Sequence, residues 1–246
     1  MPIPRTSARP SPSDDSRKPD MFGGSEPSQY DVHFRLFGTP VRVNPFFWLV
    51  TLALGLDTSG GGSEIQGAII WVAAVFISIM WHEYGHVFAA RACHWGVDEV
   101  VLHSFGGYAA LRPPHGPRSA INEIFVYLAG PTAGFVLYGA IQLMLKYSPE
   151  VLLEMGALGI RFWSYLVFIN LYWGLFNLLP IFPLDGGLAV RAALTSMLRG
   201  GGALAAMISI VLAAVTAIYM FQQGSVFLGI MLLMMGFMNL QLLQRS

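Results

Sequence analysis

The sequence predicts an all-α polytopic membrane protein with about six transmembrane helices and a small membrane-associated β-sheet. Three properties of its 246 residues lead there: 54% are hydrophobic, only 11% are charged, and the mean hydropathy is +0.57. A soluble globule carries charge on roughly a quarter of its residues, so this chain must meet another solvent. Fourteen basic and fourteen acidic residues cancel to zero, which leaves no basic face for nucleic acid. The single cysteine, Cys93, excludes an intrachain disulfide and a multi-thiolate zinc site.

Residues 1–29 are rich in Pro, Ser and charge, as in Arg9-Pro10-Ser11-Pro12-Ser13-Asp14-Asp15. They hold too little apolar material to offset chain entropy and are expected to form a disordered tail. No apolar stretch follows the early arginines closely enough for a cleavable signal, so the tail is expected to stay on the mature protein. From Tyr30 to Val43, alternation of Val32, Phe34 and Leu36 with His33 and Arg35, broken at Gly38-Thr39-Pro40, predicts a short hairpin. Crossing about 30 Å of hydrocarbon takes about 20 apolar residues. By that rule the spans are roughly 45–56 (short), 65–90, 119–145, 157–179, 203–221 and 225–243. Between the second and third, Val97 to Leu111 is β-branched and aromatic around Gly106-Gly107, which fits strands better than a span. Basic residues avoid translocated loops. With the N-terminus inside, twelve of the fourteen lie inside and two, Lys146 and Arg161, outside.

The second span ends Trp81-His82-Glu83-Tyr84-Gly85-His86-Val87-Phe88. An acid at the centre of a membrane helix costs about 2.5 to 3.5 kcal/mol, so His, Glu and His together there require a reason. Histidines at i and i+4 lie one above the other on a helix face, within reach of one ion, and the intervening glutamate can reach the ion's water. Zinc with three protein ligands and an open fourth position lowers that water's pKa to about 7, and Glu83 is then the general base. The alternative is a pair of core histidines satisfied by neighbouring helices.

Two histidines need a third ligand. A glycine three residues and a histidine six residues past the second histidine mark one known class, but Ala89 and Ala92 stand there. His94 lies about 80° round the helix from His86, Glu99 falls in the strand region, Glu123 starts the third span, and His103 and His115 read as surface groups. There remains Asp185, within Asn177-Leu178-Leu179-Pro180-Ile181-Phe182-Pro183-Leu184-Asp185-Gly186-Gly187. Prolines and glycines unwind the helix there, and irregular backbone at membrane depth is tolerated only where it is buried in protein or lines a cavity. Six spans put Asp185 and the histidine motif near the cytoplasmic ends of parallel helices. The competing role for Asp185 is capping of the segment that follows.

The pair of motifs, His82-Glu83-x-x-His86 and later Asn177-x-x-Pro180-x-x-Pro183-Leu184-Asp185-Gly186-Gly187, resembles the site-2 protease family of intramembrane zinc metalloproteases. The likeness covers roughly residues 30–200, with Phe37-Gly38-Thr39-Pro40-Val41-Arg42-Val43, Phe105-Gly106-Gly107 and Ala129-Gly130-Pro131 as shorter matches. It implies that His82, His86 and Asp185 hold one zinc per chain, that Glu83 is the base, and that Asn177 steadies the developing oxyanion or positions substrate. It implies one protease domain over 30–246, with a catalytic core of about 65–200. The chain departs from many members at Gly134, where they carry asparagine, and is expected to carry neither an inserted PDZ domain nor C-terminal cystathionine-synthase-like regulatory domains.

The function expected is therefore hydrolysis of peptide bonds in or near transmembrane segments of single-span membrane proteins, as in regulated intramembrane proteolysis. Phe105, Gly106, Gly107 and Tyr108 are expected to bind substrate as an added strand, since glycines admit another backbone. The expected setting is the plasma membrane bilayer, with both termini cytoplasmic. Two other classes compete: a non-catalytic zinc-binding membrane protein, which would need no Glu83, and a metal transporter, which would need polar groups along several spans.

Overall fold

The structure, a computed structural model, describes residues 27–58, 65–116, 119–148 and 150–244, the side chains of 151–155 excepted. All but the last residues of the expected tail, the 59–64 loop, Arg118 and Arg245 lie outside these. The chain runs β1 (Val32–Leu36), β2 (Thr39–Val43), α1 (Pro45–Thr58), α2 (Ile65–Ala92), β3 (Gly96–His103) and β4 (Gly106–Arg112), then α3 (Ala120–Tyr147), α4 (Glu150–Asn177), α5 (Asp185–Met197), α6 (Gly201–Gln222) and α7 (Val226–Gln244).

Among the described residues four helices, α2, α3, α6 and α7, are long and apolar enough to cross a membrane, against about six expected, and α1 is a shorter apolar helix. At 1.5 Å per residue, the 28 residues of α2 reach about 42 Å, ample for about 30 Å of hydrocarbon. α4 is not among the four: Gly156, at φ 65°, divides it, and Glu150, Glu154 and Arg161 punctuate its first half. The outward faces of the helices are apolar, with Leu49, Ile69, Val136, Val211, Val215 and Phe237 all exposed, as a lipid-facing surface requires.

Both expected strand pairs form, and they join into one sheet in the order β1-β2-β3-β4. The first hairpin turns one residue earlier than expected, at Phe37 and Gly38, which both take positive φ, so that Thr39 and Pro40 open β2. Pro40 is tolerated because parallel pairing with β3 starts only at Val41, opposite Val100. Arg42 is buried across that junction, donating to Asp31 on one side and to Glu99 on the other. One face of the sheet packs on α2, through Val41, Val43, Val100 and Leu102 against Ile79, Met80, Tyr84 and Val87. A second core joins α6 and α7 to the irregular 178–184 segment through Ile181, Leu184, Ala213, Leu232 and Met235.

Candidate metal centre

On α2 the i, i+4 spacing brings the rings of His82 and His86 to 5.0 Å between centroids and their Nε2 atoms to 3.3 Å. Asp185 arrives in the first turn of α5. Its Oδ2 lies 3.0 Å from His82 Nε2 and its Oδ1 lies 3.3 Å from His86 Nε2. Leu184, not Asp185, occupies the N-cap of α5, and no side chain caps it; the carboxylate faces the histidines instead. The fold thus brings together three of the residues singled out in the sequence, from helices 103 positions apart.

These donors fit a tetrahedral divalent ion. With metal–ligand bonds of about 2.0 to 2.2 Å, neighbouring ligand atoms of a tetrahedron stand about 3.3 to 3.6 Å apart, close to the 3.3, 3.3 and 3.0 Å seen here. His86 Nδ1 lies 2.7 Å from the Val126 carbonyl. A carbonyl only accepts, so Nδ1 carries a proton, which leaves Nε2 as the ring atom available to a metal. Room for the donors comes from Gly130 of α3: a Cβ there would stand 2.2 Å from His86 Nε2 and 2.7 Å from His82 Nε2. His82, His86 and Asp185 are the cluster of three such ligand types found among the described residues.

Glu83 is buried beside them. The β4 strand lies over it, since a Cβ on Gly107 would stand 3.1 Å from Glu83 Cγ, and the Ala109 amide is turned toward the Glu83 carboxylate. Asn177, at the end of α4, is buried too, and its Nδ2 donates to the Trp173 carbonyl one turn back. Of the strand residues, Gly106 packs on Trp173, Phe105 stacks on Phe227 at 6.0 Å, and Tyr108 is part-exposed against the His103 ring.

Three of the residues set aside as ligands have other roles. His94 takes a left-handed conformation in the turn closed by Trp95 N–H to the Ala90 carbonyl, the geometry that ends α2. Glu99 binds Arg42. His103 corrects an expectation: it is buried, not a surface group, because its ring closes the β3–β4 turn between Phe105 and Tyr108 and accepts from the Phe105 amide. Burial, helped by the nearby Arg42 cation, pushes its pKa down to about 4. A Cβ at Gly134 would be in ordinary contact with Asn170 of α4, 3.4 Å from its backbone carbonyl and 3.6 Å from its Oδ1, and the Asn170 amide donates to Ser78 on α2. Sequence reading passed over Val126, which acts through its backbone and leaves no side-chain signal. It also passed over Ser209 and Asn239, whose signal was being polar within apolar spans.

The profile of peptidase family M50 matches residues 70–155 and 151–221. The chain belongs to peptidase family M50. It is 34% identical over 168 residues to a putative zinc metalloprotease of Synechocystis sp., and 31% identical over 147 residues to stage IV sporulation protein FB of Bacillus subtilis. These alignments take in 64% and 60% of this chain but 42% and 45% of the relatives, so the chain matches less than half of their length. The site-2 protease of Methanocaldococcus jannaschii shares its fold, with a TM-score of 0.59 at 22% identity, over 86% of this chain and 94% of that one. The resemblance drawn from the two motifs is therefore borne out. This M50 chain is an integral membrane protein by its apolar helices.

Proposed function

We propose that this M50 chain is a zinc-dependent intramembrane endopeptidase that cuts single-span membrane proteins in or near their transmembrane segments, as in regulated intramembrane proteolysis. The observation that carries the reading is the convergence of His82, His86 and Asp185 with buried Glu83 beneath β4. The two histidines and the aspartate would hold one zinc per chain, which when bound supplies a Lewis acid and a water acidic near neutral pH. Glu83 accepts the water proton on its carboxylate and returns it to the leaving nitrogen. Asn177 keeps a second amide N–H for the carbonyl oxygen of the substrate, the first being taken by Trp173.

A transmembrane helix hides its carbonyls in i to i−4 hydrogen bonds, so cleavage requires unwinding where protein re-pairs the backbone. Among the described residues β4 has a strand partner on one side only, and its Gly107 lies against Glu83. Phe105 to Tyr108 leads a substrate strand along that edge to the base.

Six crossings, with both termini cytoplasmic in the plasma membrane, complete the reading. The sheet supports an even number of crossings between β2 and β3, because these pair directly while α2 alone leads about 42 Å away. α1, a shorter apolar helix, lies on the other leg of that excursion.

The test is a cleavage assay in liposomes with single-span substrates, together with metal analysis. Glu83→Gln should keep one zinc per chain and lose turnover by about a hundredfold or more, whereas His82→Ala, His86→Ala and Asp185→Ala should each lose the metal. Full zinc in Asp185→Ala removes that residue from the ligand set, and normal turnover in Glu83→Gln overturns the base.

A further inference from the structure

The irregular segment between α4 and α5 presents the chain with a local accounting problem. Pro180 and Pro183 have no N–H, and the backbone bonds within the segment run from Ile181 to Leu179 and from Leu184 to Ile181. The polar backbone of Phe182 and the carbonyl of Pro180 are satisfied from elsewhere. Ser209, buried in α6, accepts from the Phe182 N–H at 3.1 Å and donates to the Pro180 carbonyl at 3.3 Å. Asn239, buried in α7, donates to the Phe182 carbonyl at 2.7 Å. The same Nδ2 donates to the Met235 carbonyl, while Oδ1 is buried without a partner among the described residues. An amide kept in an apolar span with its acceptor unused is there for its donors.

We propose that Ser209 and Asn239 are positioning residues of the metal centre. By gripping Phe182 from two helices, they set the point from which α5 starts and hence where Asp185, three residues on, presents its carboxylate to His82 and His86. α6 and α7 carry no zinc ligand, yet their docking fixes the third one. Released from them, the segment's unpaired groups at membrane depth would seek other partners and carry the start of α5 with them. The inference rests on the reading of His82, His86 and Asp185 as zinc ligands.

The test uses the full chain in nanodiscs and follows zinc loss to a chelator, with the d–d spectrum of the cobalt-substituted protein as a second readout. Ser209→Ala and Asn239→Leu should each weaken metal retention about tenfold, the lower end of what outer-shell partners of metal ligands contribute, and should shift the cobalt bands. Ser209→Thr keeps the hydroxyl and should retain metal like the wild type. Thr216→Val, a polar group on α6 outside this contact, should do the same. If Asn239→Leu fails to fold, the Ser209→Ala and Ser209→Thr pair still decides. Wild-type retention and spectra in Ser209→Ala, or equal losses in Thr216→Val, overturn the proposal. A wild-type chain that takes up no zinc overturns the ligand assignment, and this inference with it.

Discussion

Gly130 sets a tight tolerance at the site, directly against the histidines. In a helix interior, alanine is favoured over glycine by about 1 kcal/mol, so Gly130→Ala would stabilise α3 if propensity alone counted. A Cβ 2.2 Å from His86 Nε2 decides otherwise: the variant should keep its helical circular dichroism and lose most of its zinc, measured per chain. His103 makes a different kind of prediction. It is neutral in the folded sheet with a pKa of about 4, against 6.5 when unfolded, so the unfolded chain binds the extra proton between those values. Its contribution is complete above pH 6.5 and is lost as pH falls toward 4, a change of about 3 kcal/mol. Denaturant unfolding of His103→Gln should lose correspondingly less stability than the wild type between pH 7 and pH 4. Parallel slopes would show that the ring does not govern the acid limb.

At the scale of elements, the open edge of β4 decides how a substrate strand would bind. The β3–β4 turn has two residues, with His103 opposite Gly106. In such a hairpin the closing pair exchanges hydrogen bonds and every second pair repeats it, so Val101 and Tyr108 are also bonded. The Tyr108 amide therefore belongs to β3, and the amides of Gly107, Ala109 and Leu111 face outward, in keeping with Ala109 turning toward Glu83. Leu111→Pro removes one outward donor and should slow cleavage severalfold with zinc unchanged. Tyr108→Pro breaks the β3–β4 ladder and should destabilise the sheet itself. Substrates whose helix-breaking residues are replaced by Leu should be cut more slowly. Cleavage indifferent to both changes means that the substrate does not enter along this edge.

For the whole molecule, the sheet and the metal centre lie at the same end of the helices, because the sheet packs on the half of α2 that carries the histidine motif. With the basic residues gathered at that end, single cysteines placed in a Cys93→Ser background report the orientation. Ser148 and Ser225 should react with an impermeant thiol reagent from outside intact cells, and His115 and Ser196 only after permeabilisation. Outside labelling at His115 would invert the topology and put the site on the other face.

Four of the six expected spans, the strand pairs and the His82-Glu83-x-x-His86 motif were legible because each rests on a local pattern: an apolar run, a period of two, a spacing of four. Asp185 was reachable by elimination, since an acid in so apolar a stretch needs a partner. The sequence thus determined the membrane as solvent, the family and three residues of metal-ligand type that converge in the fold. Local pattern stops at the end of an element, so it could not show that two hairpins some 60 residues apart form one sheet through a buried Arg42, or that a surface-like His103 is closed over by Phe105 and Tyr108. Nor could it separate capping from ligation at Asp185, because the sequence is the same in either case. Only the approach of α5 to α2 decides where that carboxylate points, and the segment leading into α5 is held through the backbone of Phe182 by two buried polar side chains of α6 and α7. Such contacts depend on which atoms meet in space, and residue order does not encode that locally.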